Sequence, residues 1–198
     1  MTPRTITILP CILLVMFARA SANDDAGRPP ELKVLGRMVG EFDMVLTTKP
    51  GVWSPKGSRA TFVVKSRWVL NNRFLQSEGK GTRVEGEERE SIENLTMITW
   101  DPHRKEYRNA FFFASYGEGT DDWGDNSRAT TGTTTSRWDD AMTTFTVSVK
   151  DDDAGITIDK VMTWTDGDHY GWTVTVKDAD DGEVLMEQVC ECTRRKSK

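Results

Sequence analysis

The two histidines of the chain, His103 and His169, are the first residues to consider for acid–base chemistry. An imidazole beside a nucleophile and an orienting carboxylate would make a catalytic centre. Both histidines fall in predicted turns, and the chain has no G-x-S-x-G elbow, phosphate-binding glycine loop or H-E-x-x-H segment. We therefore predict no catalytic residue. His169 could instead bind a haem iron as one axial ligand, but no other haem signal accompanies it, so we predict no cofactor.

Cys190 and Cys192 are separated by one residue near the C-terminus. On a strand this spacing places both thiols on one face, and a disulfide between them would be strained. A soft metal would need further ligands, which the sequence does not cluster beside them. We interpret the pair as two free thiols that are buried or half-buried, and we predict no metal site.

Three acidic groups could attract calcium, but none has the spacing of a calcium-binding loop. We interpret them as solvated hairpin turns. The groups are Asp121-Asp122-Asp125, Asp151-Asp152-Asp153 and Asp178-Asp180-Asp181.

Aromatic residues are the remaining candidates, with seven tryptophans and eight phenylalanines in the chain. On strands such side chains either fill a core or line a cavity, and both interpretations stay open at this point. The aromatic residues at predicted inward positions are Phe62, Trp68, Trp100, Phe111, Phe113, Trp164 and Trp172. Gln188 is the candidate polar group that would orient a bound molecule.

The elements that must position these residues are mostly strands. Apolar residues recur at helical spacing from Glu31 to Met38, which predicts one short helix ending near Gly40. Beyond it, apolar and polar residues alternate in about eight to ten segments separated by short turns, including Asn71-Asn72. The segment from Tyr107 to Ser115 is apolar on both faces at its three phenylalanines, 111–113, which predicts a strand that is buried more completely than the others.

Short connections make neighbouring strands antiparallel, and a long meander loses its exposed edges when it curls closed. We predict an all-β fold, an antiparallel up-and-down barrel with one short N-terminal helix. A two-sheet sandwich is the structural alternative.

The N-terminus has the pattern of a secretory signal peptide. An apolar stretch from Ile6 to Phe17 leads to the small residues Ala20-Ser21-Ala22, after which we expect cleavage. The prediction is a signal peptide at 1–22, a flexible leader at 23–30 and a single domain at 31–198, exported to the periplasm or the extracellular space. Cleavage would leave 176 of the 198 residues and would change the net charge from −5 to −7. A negatively charged protein repels nucleic acid and anionic lipid, so neither is an expected partner.

Several short segments resemble known families. LGRMVGEF at 35–42 resembles the L-x-x-hydrophobic-x-G-x-W start of lipocalin-like barrels, with Phe42 where tryptophan is usual. WVLNNRFL at 68–75 resembles the W-x-L-G-G-R-F-L hairpin of a bacterial family known as domain of unknown function 1579, and TWDP at 99–102, DHYGW at 168–172 and DDGE at 180–183 extend the resemblance. It implies a lipocalin-like barrel and no established activity.

These observations favour an exported barrel that binds a small apolar molecule in its interior. Two other functions stay open. One is an isomerase or hydrolase in the barrel mouth, which would require two titratable groups within hydrogen-bond reach in a cleft. The other is a protein-interaction module of the cell envelope, which would require an open sheet edge or an apolar surface patch. Asn94 begins an N-glycosylation sequence, which we expect to be unmodified.

Overall fold

The computed structural model of the chain describes residues 28–117, 128–139, 141, 143–152 and 154–196, with the backbone alone at 117 and 128–133. The predicted signal peptide and the first part of the leader lie outside these residues. No helix in the described part of the chain is long and apolar enough to cross a membrane.

The described residues form one short helix followed by ten strands. Helix α1 spans Pro30–Val34 and continues as a 3-10 turn over Leu35–Met38, where the sequence predicts a single helix. The strands are β1 Gly40–Thr48, β2 Ser58–Val69, β3 Phe74–Glu85, β4 Glu88–Asp101, β5 Glu106–Gly117, β6 Arg128–Trp138, β7 Thr144–Asp151, β8 Ile156–Trp164, β9 His169–Asp178 and β10 Val184–Arg194.

The ten strands form one closed antiparallel barrel in which each strand pairs with its neighbours in the chain. The first and last strands complete the closure, with Phe42 opposite Arg194 at one end and Thr48 opposite Gln188 at the other. The predicted up-and-down barrel is confirmed, and the sandwich alternative is excluded because one sheet runs round the whole circle.

The turn between β2 and β3 follows the predicted chemistry. Leu70, Asn71 and Asn72 have φ of 49°, 54° and 60°, which is left-handed backbone that asparagine tolerates well. The backbone N–H of Arg73 donates to the carbonyl of Leu70 at 3.2 Å and closes the turn.

A glycine allows β2 and β3 to approach closely. A Cβ atom at Gly81 would lie 1.9 Å from the carbonyl oxygen of Thr61, far inside van der Waals contact. Gly81 is directly opposite Phe62 in the register, so this absence of a side chain lets the two strands lie closer together than a larger residue would allow.

One end of the barrel is closed by the helical segment. Leu32 and Leu35 are 2% and 0% exposed and pack in one cluster with inward side chains of the strands. Phe42 is 0% exposed in the same cluster, and its ring meets Tyr170 edge-on at 5.3 Å. We call this end, capped by α1 and the 3-10 turn, the closed end.

The prediction that the strand with the three phenylalanines is buried more completely than the others is wrong. Phe112 is 48% exposed, whereas Phe111 and Phe113 are half-buried. The reason is that β5 belongs to a barrel wall whose outer surface, at this strand, is not covered by another described element. Only the inward alternate residues are sheltered.

Pairing round the barrel is uneven. Strand β6 pairs with β5 through nine residue pairs, from Tyr107–Ser136 to Ser115–Arg128. Within the described residues it pairs with β7 through only two, Arg137–Thr146 and Trp138–Phe145. We call this line between β6 and β7 the seam.

Candidate functional site in the barrel interior

The eight candidate binding residues lie on the inner face of the strands, at different heights. Trp68, Trp100 and Trp164 are at the closed end, where they pack against the cluster that includes Leu32 and Leu35. The other five are further along the barrel axis: Phe62, Phe111, Phe113, Trp172 and Gln188.

The aromatic residues of the closed end form a packed layer. The Trp100 and Tyr107 rings lie 4.9 Å apart, and the Tyr107 hydroxyl donates to the Glu31 carbonyl of helix α1 at 2.7 Å. Burial raises the pKa of Tyr107 well above its usual value, so the phenol stays protonated and keeps donating. Trp164, 7% exposed, packs edge-on against Phe42 at 6.3 Å. These contacts assign the closed end to packing.

Beyond the closed end, Ala60, Phe62, Val64 and Ile92 of β2 and β4 form a second buried cluster, whereas some inner apolar side chains of β8 and β9 keep part of their surface accessible. Three inner residues of β8 and β9 are half-buried although paired strands flank them on both sides: Ile158, Trp172 and Val174. Because these side chains point inward in a closed barrel, their accessible surface faces the barrel interior. The described side chains therefore do not fill the interior at this height.

Polar groups in this interior are few and mostly paired. Gln188 donates from Nε2 to the Thr48 hydroxyl at 3.2 Å, so the predicted orienting group is held in place by β1. Arg83 and Glu90 face each other across β3 and β4 with 2.9 Å between Nη2 and Oε2. Both pairs are held without any bound molecule.

Lys160 is an inner residue that the sequence prediction missed. It lies opposite Val147 of β7 and Val174 of β9, on the same face as Ile158 and Met162. Its Nζ atom sits 4.6 Å from the ring centre of Trp172. Burial lowers the pKa of its amine, which the nearby Cys190 and Cys192 thiols only partly oppose. Strict alternation along 156–164 could have revealed it, because a lysine there falls in an apolar stripe.

The two thiols lie side by side on β10, as predicted, and both are free. Their sulfur atoms are 3.6 Å apart, and the residues are 1% and 2% exposed. A hydrogen bond from Cys190 to Cys192 lowers the pKa of Cys192, and the same hydrogen bond, with burial, raises that of Cys190. Among the described residues no group of three potential ligands could hold a metal ion. The thiols thus belong to the packed wall of the barrel.

His169 and Asp166 form the one pairing that resembles a catalytic dyad within the described chain. Nδ1 of His169 lies 2.9 Å from each carboxylate oxygen of Asp166, and Asp166 borders a cleft of about 350 Å³ outside the closed end. The Asp166 carboxylate also accepts the backbone N–H groups of Asp168 and His169 at 2.7 and 2.8 Å, which lower its pKa together with the histidine. The pair therefore stabilises the β8–β9 turn. The Thr165 hydroxyl donates to the His169 carbonyl, so it does not serve as a nucleophile there.

The remaining candidates have structural surroundings. His103 lies in the β4–β5 turn, where its backbone N–H donates to Asp101 at 2.9 Å. Asp178 accepts the backbone N–H groups of Asp180 and Asp181, which makes that acidic group a turn. The group at 121–125 lies outside the described residues. Asn94 turns inward, and its side chain occupies the space beside Gly79, so a glycan could not be attached without opening the wall.

Comparison with known proteins identifies the fold class. No family model matches the sequence, and no curated protein does either. Among solved structures, the S-type phycobiliprotein lyase from Guillardia theta aligns with a TM-score of 0.57 and 10% identity, over 87% of this chain and 96% of that chain. The closed barrel and this likeness together define a protein with a lipocalin-like barrel.

Two weaker alignments carry no structural argument. EF1p2_mFAP2b bound to DFHBI aligns with a TM-score of 0.40 and 11% identity, over 83% of this chain and 98% of that chain. A protein of unknown function from the DUF3598 family of Nostoc punctiforme aligns with a TM-score of 0.21 and 7% identity, over 85% and 100% of the two chains. Membership of domain family 1579 stays a prediction from the sequence segments.

Proposed function

We propose that the protein binds a small, mainly apolar molecule in the interior of its barrel. The observation that carries this proposal is the half-buried state of the inner apolar residues Ile158, Trp172 and Val174 in a closed barrel. A filled barrel would bury them as completely as Leu35 and Leu75, which are 0% exposed at the closed end. Ten strands also enclose more space than the eight that side chains can just fill.

The binding residues in this proposal are those above the closed end. Phe111, Phe113 and Trp172 supply aromatic walls, and Gln188, held by Thr48, supplies an orienting amide. Trp68, Trp100 and Trp164 form the floor beneath them and contribute to stability.

A matched pair of substitutions tests the proposal. Val174→Trp fills the interior, whereas Val161→Trp places the same side chain on the outside of β8, where Val161 is 38% exposed. We expect the native protein to bind the neutral fluorescent probe N-phenyl-1-naphthylamine, Val174→Trp to weaken binding about tenfold or more, and Val161→Trp to leave it unchanged. Native mass spectrometry of protein purified from its producing cells should also show a bound small molecule.

The proposal fails if the probe does not bind and the purified protein carries no added mass. It also fails if Val174→Trp and Val161→Trp weaken probe binding equally, because the probe would then be on the outer surface.

We also propose that the protein is exported and cleaved after Ala22. The support is the order of residues 1–22, an apolar stretch followed by small residues. Intact mass and N-terminal sequencing after expression with the leader should show a chain beginning at Asn23 outside the cytoplasm. Ala22→Asp should block cleavage. An unprocessed wild-type chain retained in the cytoplasm would contradict this proposal.

A further inference from the structure

Lys160 places a cation inside the barrel at a defined depth. Its backbone is opposite Val174 on β9, while its Nζ atom lies 4.6 Å from the ring centre of Trp172, two residue pairs nearer the closed end. The side chain therefore leans towards the closed end. On the other side of this position are the apolar inner residues Ile158 and Val149.

This lysine has no carboxylate partner among the described residues. Three outward lysines, Lys65, Lys80 and Lys150, have carboxylate partners at 2.9, 2.8 and 2.6 Å. The inward Arg83 is paired with Glu90. Lys160 contacts the Trp172 ring instead of a carboxylate.

An ammonium group in such a place is costly. Removing it from water is only partly offset by the electron-rich face of a tryptophan ring. The groups that face it from the neighbouring strands are Val147 on β7, Val174 on β9, and the thiols of Cys190 and Cys192 on β10. None of them supplies a carboxylate, so an incoming anion would find an unpaired cation in an apolar surrounding.

We propose that Lys160 receives the anionic head of the ligand, which makes the ligand of this barrel a carboxylic acid with an apolar body. The inference rests on the proposed function and adds the chemical class and the orientation of the bound molecule. The carboxylate lies at the depth of Lys160 and Trp172, and the apolar body extends away from the closed end along Ile158, Val149 and Met186. The acid enters head first.

Two probes that differ only in their head group test this inference. Dodecanoic acid and dodecan-1-ol are titrated as competitors of bound N-phenyl-1-naphthylamine at pH 8. We expect the acid to bind the wild-type protein about 10- to 100-fold more tightly than the alcohol, the range that a charge-assisted hydrogen bond gives. Lys160→Met should abolish this preference, because it weakens the binding of the acid and leaves the binding of the alcohol unchanged. Lys160→Arg should keep the preference.

The matched control is Lys150→Met, which removes an exposed lysine on the outer face of β7. It should leave the preference unchanged. Circular dichroism and thermal unfolding of each variant verify that it is folded, and Lys160→Met should unfold at a higher temperature than the wild type because it buries no charge.

The outcomes separate this inference from the proposed function. Equal affinity of both probes for the wild type, or an acid preference that survives in Lys160→Met, overturns the role of Lys160 and leaves interior binding standing. If Lys150→Met also lost the preference, the role of Lys160 would be overturned as well, because the affinity for the acid would then depend on the net charge of the protein. Failure of both probes and of the naphthylamine to bind overturns the proposed function itself.

Discussion

Lys160 shows at the residue scale how an inward position acquires a chemical role. The alternation that places Ile158 and Met162 inside the barrel places the lysine between them inside as well. On the outer face of the same wall, a lysine would increase solubility without a desolvation cost. At position 160 it occupies an inward site where a methionine would pack. Its charge there lowers the stability of the protein when no ligand is bound.

The first prediction is that Lys160→Met stabilises the protein without a ligand. Replacing the buried charge by an apolar side chain of similar length should raise the free energy of unfolding by about 1–2 kcal/mol at pH 7. Urea unfolding of the two proteins measures the difference. A loss of stability in Lys160→Met would show that the amine has a structural partner.

The pH dependence of that difference has a defined sign. The pKa of Lys160 is lower in the folded protein than the 10.5 of the unfolded chain. Between the two values the unfolded state binds more protons, so the stability of the wild type rises with pH relative to that of Lys160→Met. The gap between the proteins should therefore narrow from pH 7 towards pH 10.5. A gap that is constant over this range would contradict the assigned cause.

The second prediction concerns the reactivity of the thiol pair. A lowered pKa favours the thiolate of Cys192, but 2% exposure keeps reagents away from it. Ellman's reagent should therefore react with neither Cys190 nor Cys192 in the native protein, and with both after unfolding in guanidinium. Val189→Cys, on the outer face of the same strand at a position 39% exposed, should react at once. Unfolded protein that shows no thiols at 190 and 192 would indicate a disulfide instead.

At the scale of elements, β2 and β3 show how a small residue shapes the wall. The backbone of Gly81 approaches the Thr61 carbonyl so closely that no side chain fits between them. Further along the same hairpin, Leu70 adopts φ of 49° beside two asparagines that accept such angles more easily. At both places the hairpin thus depends on residues that permit a backbone geometry which most other residues would not.

The third prediction is that Gly81→Ala destabilises the barrel by about 2 kcal/mol or more, because the new methyl group meets a backbone carbonyl that cannot move independently. Gly167→Ala is the control, since a Cβ atom there has no neighbour within 4 Å. It should stay within about 0.5 kcal/mol of the wild type. Equal effects on the midpoint of urea unfolding would contradict the packing argument.

The sequence predicted local features well and the state of the interior poorly. Alternation gave the strands, and Asn71-Asn72 gave the turn, because both depend on neighbours in the chain. The exposure of Phe112 depends on what covers the outer wall, which no local pattern records. Trp164 is buried and Trp172 is half-buried although both occupy inner positions of neighbouring strands, and alternation along a strand does not record this difference in packing.

At the scale of the whole molecule, the seam is the least supported line of the barrel. Strand β6 has nine pairs with β5 and, among the described residues, two with β7. Local opening occurs where few backbone hydrogen bonds hold a strand. The wall should therefore open first between β6 and β7.

The fourth prediction follows from that difference. Native-state hydrogen exchange should be faster for the amides of β7 that face the seam, over 147–151, than for the amides of β3 and β4, which pair from Leu75–Ile98 to Glu85–Glu88. Mass spectrometry of peptides from these strands measures the rates. Equal protection across the barrel would show that the seam is closed by other bonds.

The pairing of β1 with β10 has a consequence for how the chain is made. Residues 42–48 pair with β2 on one side and with residues 188–194 on the other, so the circle cannot be completed before residues 188–194 have been synthesised. Contacts between such distant residues give a high contact order and slow folding. A nascent or truncated chain ending before residue 184 would expose β1 and β9 as two bare strand borders, each able to recruit a foreign strand. The eleven-residue strand β10 pairs with both of these strands, and it thus protects the protein from aggregation.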